Sequence, residues 1–355
     1  MSEFKTIGIT MGDPAGIGPK ICLLALREVL SGRLKRGAGF VIFGNYDMLS
    51  RLDRELGTGL CPEKVSGSDR GNILSKNGSR VMICDIDSPG FSDIVPGRAS
   101  AESGAASFEY IKKACSEAME KKIDAIVTAP ISKEAINLSG HKWPGHTEMM
   151  SYLSGSRNVE MAFVGDKMRL VLATRHLSLA DSVKELTAKR VRESISCAAA
   201  LMDSLYPRSK SVRIMVAGLN PHAGEKGLFG KEEEAVINPA IIKMRDHFKS
   251  FASGRKISIE GPIPADTLFH AALREHKGTV IVALYHDQGL IPFKLLYFES
   301  GVNVTIGLPF VRTSPDHGTA YDKARGGECN FVSMKNAIEL AASMRKVEPD
   351  NLFIE

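Results

Sequence analysis

The chain has 355 residues, of which 43% are hydrophobic and 25% are charged, so it is long enough for two domains with apolar cores. Its net charge of +5 comes from scattered Lys and Arg, and only 6% of the residues are aromatic. This composition excludes a disordered or fibrous chain and argues against nucleic acid as a partner, whereas it suits anionic small molecules.

The six cysteines form no CxxC pair and no repeated spacing, which predicts reduced thiols in a cytoplasmic protein. The N-terminal segment lacks a basic region followed by an apolar core. No run approaches the roughly 18 apolar residues that a membrane span requires. We therefore expect a cytoplasmic protein without a membrane partner.

The first predicted strand, Phe4–Thr10, runs into a Gly-rich turn that opens a helix. Glycines let a backbone approach a ligand closely, and a helix N-terminus offers unpaired N–H groups to an anion. Gly12, Asp13, Gly16 and Gly18 are therefore candidate cofactor contacts. The pattern is equally typical of a tight turn, because it matches neither GxGxxG nor the GxxxxGK[ST] phosphate loop.

Strand and helix patterns then alternate, which favours a parallel or mixed sheet covered by helices. The predicted strands are Gly39–Phe43, Val81–Ile86, Ala125–Thr128, Glu160–Gly165, Arg169–Thr174, Val212–Ala217 and Thr279–Tyr285. The predicted helices are Asn45–Leu56, Ser100–Lys121, a helix from Thr187 that Pro207 ends, Glu232–Lys249 and Phe331–Met344. Gly57–Asn77 has no clear period and is interpreted as a surface loop.

Three histidines have the same position relative to a strand. His176, His222 and His286 each follow a short apolar run at its carboxyl end. In a doubly wound sheet these ends face one crevice, so the three imidazoles could meet there. Three neutral histidines with an open position form a catalytic metal site, with zinc as the first candidate. The alternative is that each is a core or capping histidine.

A second set of polar residues suits an anionic ligand. Lys294, Asn303 and Arg312 follow the last strand and are predicted to lie in turns, where a guanidinium fork and a lysine point charge could bind a phosphate or carboxylate. Thr147 and Glu148 could simply begin a helix, with a residue near His146 as its cap. In the functional alternative, His146 and Thr147 donate hydrogen bonds to an anion at the start of that helix. A solvated loop is the competing interpretation for this set.

These residue types leave the reaction class open. A metal held by three histidines can polarise a hydroxyl or carbonyl oxygen, while the cationic residues grip an anionic tail. Oxidation, hydrolysis and aldol cleavage all use such an arrangement. A closed structural metal site would usually have four protein ligands, often thiolates, and no cysteine follows a strand in this way. An open, catalytic site is therefore favoured over a non-catalytic binding protein with a structural metal.

A series of motifs resembles one known family. They are ITMGDPAGIGP, SAESG, TAPISKE, GHKWPGHTE, ATRHLSL, GLNPHAGEKGLFG, GPIPADTLF, ALYHDQG and GVNVTIGLPFVRTSPDHGTAYD. Together they cover nearly the whole chain in the right order, and the chain is similar to the 4-hydroxythreonine-4-phosphate dehydrogenases of pyridoxal phosphate (vitamin B6) biosynthesis. Lys20 departs from the family, whose members commonly have an acidic residue there.

The resemblance implies an α/β fold like that of isocitrate and isopropylmalate dehydrogenases, with two domains and a cleft between them. The first domain would comprise 1–130 and 285–355, holding both termini, and the second would comprise 131–284 with the dimer contacts. It also implies a homodimer whose sites draw on both subunits.

The resemblance further implies the activity and its residues. The expected reaction is NAD- or NADP-dependent oxidation of a phosphorylated hydroxythreonine, followed by loss of carbon dioxide. One divalent metal, zinc, magnesium or cobalt, would be held by the three strand-end histidines. The expected substrate contacts are His146, Thr147, Lys294, Asn303 and Arg312, and the candidate catalytic groups are Asp266, Asp287 and Lys294. Closely similar enzymes oxidise D-threonate or D-erythronate 4-phosphate, which is the alternative substrate assignment.

Overall fold

The computed structural model describes residues 4–32, 38–65, 80–250 and 255–347, apart from the Ser250 side chain. The chain divides into two compact units. The first comprises Met1–Arg157 and Leu308–Ser343, and the second comprises Asn158–Gly307 and Met344–Glu355.

Parallel strands form the centre of the first unit. The strands are β1 Lys5–Thr10, β2 Ala38–Gly44, β3 Glu63–Val65, β4 Val81–Asp85, β5 Ala125–Thr128 and β12 Val311–Pro315. Their order is β3-β4-β2-β1-β5-β12, and the pairings between these neighbours are all parallel. The helices are α1 Gly18–Ser31, α2 Tyr46–Leu56, α3 Ala101–Met119, α4 Lys133–Leu138, α5 His146–Ser154 and α11 Val332–Ser343.

The local sequence explains these elements. Every residue of β2 and β5 is buried, as expected for apolar runs in a parallel sheet that is covered on both faces. Asn45 caps α2, whose last turn ends at the left-handed Gly57. Ser100 and Ser103 form a capping box at the start of α3. A Cβ on Gly104 would lie 1.9 Å from the carbonyl oxygen of Ala135, so only glycine permits this contact between α3 and α4.

The second unit has a mixed sheet. Its strands are β6 Glu160–Val164, β7 Arg169–Leu172, β8 Ser211–Ala217, β9 Lys256–Ile263, β10 Thr279–Ala283 and β11 Val302–Ile306, in the order β11-β6-β7-β10-β8-β9. β6 is antiparallel to both of its neighbours, and the strands from β7 to β9 are parallel. The helices are α6 Leu179–Glu185, α7 Ala188–Leu205, α8 Asn238–Ser250, α9 Ala265–Arg274 and α10 His286–Tyr297.

An apolar core lies between the sheet of the second unit and its helices α9 and α10. Leu170, Leu172 and Ile281 of the strands pack with Leu268 of α9 and Phe293 of α10. Helix α7 begins where the sequence predicts a helix, and the Thr187 hydroxyl caps it by accepting the Arg190 N–H. No helix in the described part of the chain combines the length and the apolar composition that a membrane crossing requires.

The sequence patterns do not predict helices α4, α6 and α9, and the secondary structure also differs from the prediction after β10. The stretch from His286 to Lys294 was predicted as turns, but it forms α10 with Pro292 inside the helix. Asn303 and Arg312 lie in strands rather than turns. The predicted loop Gly57–Asn77 contains the short strand β3, and its residues from 66 onward lie outside the described part of the chain.

The two units differ in extent from the predicted domains, 1–130 with 285–355 and 131–284. Helices α4 and α5 belong to the first unit because they pack against α3. Helix α10 and β11 belong to the second unit because α10 packs on β7 and β10 while β11 pairs with β6. The segment after α11 also lies with the second unit, where the Arg345 N–H donates to the Ser204 carbonyl oxygen at 2.9 Å.

Candidate functional site

Three neighbouring parallel strands of the second unit lead to the three predicted metal ligands. β10 lies between β7 and β8 and is parallel to both. His176 follows β7, His222 follows β8, and His286 begins α10 directly after β10. Because the carboxyl ends of neighbouring parallel strands share one edge, the fold brings the elements that carry these histidines together.

His176 and His286 are close neighbours. Their ring centroids are 5.7 Å apart, and both side chains line a cavity of about 210 Å³ in the second unit. The cavity is completed by Arg175, Leu177, Leu179, Ser182, Tyr285 and Asp287. Hydrogen bonds between the strand ends fix this arrangement: the Ala173 N–H donates to the Ala283 carbonyl at 2.8 Å, and the Thr174 hydroxyl donates to the Leu284 carbonyl at 2.8 Å.

Asp287 orients the His286 ring. Its Oδ1 lies 2.6 Å from His286 Nδ1. A carboxylate at this distance favours the proton on Nδ1 and leaves the lone pair on Nε2, which is the state in which an imidazole binds a metal. Asp287 itself is exposed.

His222 does not line the cavity that holds His176 and His286. It is exposed in the turn Pro221–Gly227, and its ring centroid lies 6.0 Å from that of Phe229. In the described part of the chain, no three His, Cys, Asp or Glu side chains are arranged as a metal site. The donor set nevertheless suits a borderline divalent metal, because three imidazoles follow adjacent strands and His286 is already oriented through Nδ1.

The other candidate catalytic residues lie near the same strands. Lys294 is half-buried on α10, about two helical turns after His286, with its Nζ 5.8 Å from the centroid of the Phe298 ring. Asp266 is exposed in the first turn of α9, which follows β9. Asn303 projects from β11, and its buried Oδ1 has no hydrogen-bond partner among the described residues, so it can accept a bond from a ligand.

The first unit holds a buried arginine beside a neutral histidine. Arg312 on β12 is 3% exposed and donates to the Thr128 hydroxyl at 2.7 Å. Desolvation lowers the pKa of Arg312 to about 10, so it remains a cation at neutral pH. Burial, and then the charge of Arg312, lower the pKa of His146 well below its usual value.

Helix α5 begins at His146 after the N-cap residue Gly145, so a helix starts where the sequence predicts one, and anion binding there stays a prediction. Thr147 is buried, and His146 Nε2 is buried without a hydrogen-bond partner in the described part of the chain. A buried cation beside an unsatisfied imidazole nitrogen at a helix N-terminus is suited to an anionic group.

The Gly-rich turn after β1 has an explanation in packing. A Cβ on Gly12 would lie 2.4 Å from the Pro130 carbonyl oxygen, and one on Gly18 would lie 2.3 Å from the Met11 carbonyl oxygen. Gly16 would meet the Thr319 carbonyl oxygen at 2.8 Å. These contacts within the first unit require glycine without any ligand, so cofactor binding by the three glycines stays a prediction.

Asp13 has its carboxylate committed to the fold. The side chain is fully buried and accepts hydrogen bonds from the Ala15 N–H at 2.8 Å and the Tyr321 hydroxyl at 2.6 Å, with the Ser103 hydroxyl at 3.4 Å. Desolvation raises the pKa of Asp13 above its usual value. These bonds tie the carboxylate to Ala15, Ser103 and Tyr321 within the first unit, and a contact between Asp13 and a cofactor stays a prediction.

Sequence patterns did not reveal several residues that support the site. The sequence patterns indicate no role for Tyr321 or Gln288, and they place Glu233 only within a predicted helix. Their partners are distant in sequence, as in the 308-residue separation of Tyr321 and Asp13. The local sequence carries no signal for Gln288, which stands between Asp287 and Gly289 in a polar segment.

Comparison with known proteins identifies the family. The model of the "Pyridoxal phosphate biosynthetic protein PdxA" family matches residues 38–341. The 4-hydroxythreonine-4-phosphate dehydrogenase of Geobacter metallireducens is 40% identical over 96% of both chains. The D-threonate 4-phosphate dehydrogenase of Salmonella typhimurium is also 40% identical, over 96% of this chain and 99% of its own.

A solved structure gives the same result. The crystal structure of a 4-hydroxythreonine-4-phosphate dehydrogenase from Klebsiella pneumoniae superposes with a TM-score of 0.79 at 38% identity, covering 96% of this chain and 98% of that one. The α/β fold predicted from the sequence is confirmed by this similarity. The chain belongs to the PdxA family of pyridoxal phosphate biosynthetic proteins, as the motifs predicted, and it is an oxidoreductase of that family.

Proposed function

We propose that the chain oxidises 4-phosphooxy-L-threonine to 2-amino-3-oxo-4-phosphooxybutanoate, which decarboxylates to 3-amino-2-oxopropyl phosphate in vitamin B6 biosynthesis. The observation that carries this proposal is the pair His176 and His286 in a chain of this family. Their ring centroids are 5.7 Å apart, and they follow adjacent strands. The cofactors are NAD or NADP and one divalent metal, zinc, magnesium or cobalt.

The metal ligands in this proposal are His176, His222 and His286. When bound, the metal supplies Lewis-acid stabilisation of the substrate oxygen, and the oxidised nicotinamide accepts hydride. Asp287 keeps the proton of His286 on Nδ1 and so maintains Nε2 as a donor atom. The substrate hydroxyl proton passes to a chain residue; because Asp287 is engaged with His286, Lys294 and Asp266 are the better candidates.

Binding of the substrate's anionic groups falls to residues with unsatisfied or charged atoms. Arg312 supplies a buried cation, and His146 supplies a neutral ring with an unsatisfied Nε2 beside Thr147. In this proposal Arg312 provides the positive charge, and the neutral ring of His146 contributes a hydrogen bond. We propose that these groups, with Lys294 and Asn303, bind the substrate and that Arg312 and Lys294 contact its phosphate.

A second substrate assignment has a specific basis. The 40% identity to the D-threonate 4-phosphate dehydrogenase of Salmonella typhimurium equals the identity to the 4-hydroxythreonine-4-phosphate dehydrogenase of Geobacter metallireducens. D-Threonate or D-erythronate 4-phosphate is therefore the alternative substrate. Both assignments share the metal and phosphate residues and differ in whether an amino group or a hydroxyl lies beside the carboxylate.

The deciding experiment measures formation of reduced nicotinamide by the metal-loaded protein. The three phosphorylated acids are compared with NAD and with NADP, and kcat/KM ranks them. A preference for 4-phosphooxy-L-threonine supports the main assignment, and a preference for either sugar acid phosphate supports the alternative. Absence of turnover with all three would favour the non-catalytic class, a phosphometabolite-binding protein with a structural metal.

We further propose a homodimer whose sites draw on both subunits. Light scattering would give the mass of the assembly. Mixing inactive His222→Ala protein with inactive Arg312→Ala protein should then restore part of the activity, if each dimeric site takes these residues from different subunits. Lack of restored activity in a mixture shown to contain hybrid dimers would contradict shared sites.

A further inference from the structure

A buried carboxylate supports the backbone that leads to His222. Glu233 is 2% exposed. Its Oε1 accepts hydrogen bonds from the N–H groups of Leu219 and Asn220, each at 2.8 Å, and its Oε2 accepts one from Asn220 Nδ2 at 2.9 Å. A buried carboxylate is costly unless such donors satisfy it. Here the donors all belong to the segment between β8 and His222.

The same carboxylate also packs against the far side of the turn. A Cβ on Gly224 would lie 2.7 Å from Glu233 Oε2, so the turn passes directly over the carboxylate. His222, Ala223, Glu225 and Lys226 have φ values of 52, 51, 42 and 55 degrees. Left-handed conformations strain a residue that carries a Cβ, so surrounding contacts must hold them. Glu233 contacts this turn before and after His222.

Gln288 connects the same segment to the strand that leads to His286. Its Oε1 accepts the Leu284 N–H at 2.7 Å, and its Nε2 donates to the Gly218 carbonyl at 2.7 Å. Gln288 is 8% exposed, and Leu284 and Gly218 directly follow β10 and β8. One buried amide thus joins the ends of the two strands that precede His286 and His222. A side chain with both a donor and an acceptor is required for this link.

We propose that Glu233 is a positioning residue for His222 and that Gln288 fixes the His222 segment relative to the His286 strand. This inference rests on the proposed function, because it assigns both residues to the orientation of predicted metal ligands. Partners behind the ligands of a metal site typically change metal affinity by about 10- to 100-fold when they are replaced. The competing role is purely structural: both residues would stabilise the fold without affecting metal binding.

The test compares Glu233→Gln with Glu234→Gln. Glu234 is the next residue in the chain, and its side chain is exposed. Glu233→Gln keeps the shape but places an amide N–H where one of the accepting oxygens was. Zinc and cobalt affinities are measured on the purified chain by chelator competition, without substrate, beside the melting temperature of the apo protein and the visible spectrum of the cobalt form. We expect about 10- to 100-fold weaker metal binding and an altered cobalt spectrum for Glu233→Gln. Glu234→Gln should match the unchanged protein in metal affinity and in cobalt spectrum.

Gln288→Glu provides an independent test. It keeps the oxygen that accepts from Leu284 but loses the donor to Gly218, and it should also weaken metal binding. If Glu233→Gln does not fold, the same measurement on Gln288→Glu decides. Folded variants with unchanged metal affinity and cobalt spectrum would overturn the inference while leaving the proposed dehydrogenase intact. Weakened binding in a chain that oxidises none of the candidate substrates would support the positioning role and contradict the proposed function.

Discussion

Two turns that follow parallel strands differ in the residues that adopt left-handed backbone conformations. In the first unit, the turn after β1 uses glycine at its positive φ position, Gly12, with φ of 72 degrees. In the second unit, the turn Pro221–Gly227 after β8 holds four non-glycine residues at positive φ, His222 among them. Glycine adopts this conformation without strain, whereas other residues do not.

This difference separates a turn selected for packing from one selected for its side chains. Gly12 avoids strain and leaves no room for a side chain, because the Pro130 carbonyl is where a Cβ would be. The second turn retains an imidazole despite the backbone cost. A buried carboxylate supports each turn: Asp13 accepts the Ala15 N–H in the first, and Glu233 accepts the Leu219 and Asn220 N–H groups just before the second. Substitutions should therefore damage stability in the first turn and ligand binding in the second.

The largest effect is expected at His222. His222→Ala should lose bound metal and turnover together, with a greater loss of affinity than the 10- to 100-fold typical of residues behind the ligands. Because His222 is exposed, the apo protein should keep its stability within about 0.5 kcal/mol. Metal analysis, the rate of nicotinamide reduction and apo melting check this. His270→Ala, at an exposed histidine of α9, is the control. Stoichiometric metal and a normal rate in His222→Ala would remove His222 from the ligand set.

Gly12→Ala should show the reverse pattern. The alanine would combine a left-handed conformation with a Cβ 2.4 Å from a backbone oxygen, so we expect a loss of about 2–5 kcal/mol in the free energy of unfolding. Gly318→Ala is the matched control, because a Cβ there meets no atom within 4 Å. Urea unfolding of the two variants measures the difference. Equal stability of both would mean that the turn relaxes, and the packing explanation for Gly12 would be wrong.

Sequence patterns were sufficient for most of the fold, but only for part of the site. Apolar, β-branched runs such as Thr279–Ala283 have one reasonable interpretation as buried strands, and the family motifs supplied the fold class. Helix α10 was missed because Gly289 and Pro292 are typical of turns. The strand order β7-β10-β8 depends on crossovers that local patterns do not determine, although it is what makes His176 and His286 neighbours.

Electrostatic roles were the hardest to predict. The burial of Arg312 and its bond to Thr128 join residues 184 positions apart. Asp13 stands among glycines in the sequence, and Tyr321 and Ser103 reach its carboxylate from other elements. Such partners become visible only when the chain is folded, because desolvation depends on everything that packs around the charge.

Arg312→Lys tests whether a buried charge in the first unit serves binding rather than packing. Lysine keeps the charge but loses the bidentate fork, so kcat/KM should fall by an amount equivalent to about 1–3 kcal/mol. Bound metal should not change. The variant should also lose much of the discrimination between the phosphorylated substrate and its dephosphorylated analogue. Equal losses for both substrates, together with a lowered melting temperature, would indicate that Arg312 supports the fold.

The smallest effect is expected at Tyr321, whose hydroxyl donates to Asp13 at 2.6 Å. Tyr321→Phe should cost about 1 kcal/mol of stability, with Tyr152→Phe, at a residue that is 71% exposed, as the control. Burial raises the pKa of Asp13, and the Tyr321 bond opposes that shift by stabilising the ionised carboxylate.

The pH dependence of that cost identifies its origin. A bond that favours the ionised form of Asp13 contributes stability when the pH is above the pKa of Asp13 in the folded protein. This contribution is lost as the pH falls through that pKa. The difference in melting temperature between Tyr321→Phe and the unchanged protein should therefore be largest near neutral pH and should shrink in acid. A difference that is the same at every pH would assign the effect to other contacts of the hydroxyl, such as the one with Ser132. The carboxylate of the first turn would then be held mainly by Ala15 and Ser103.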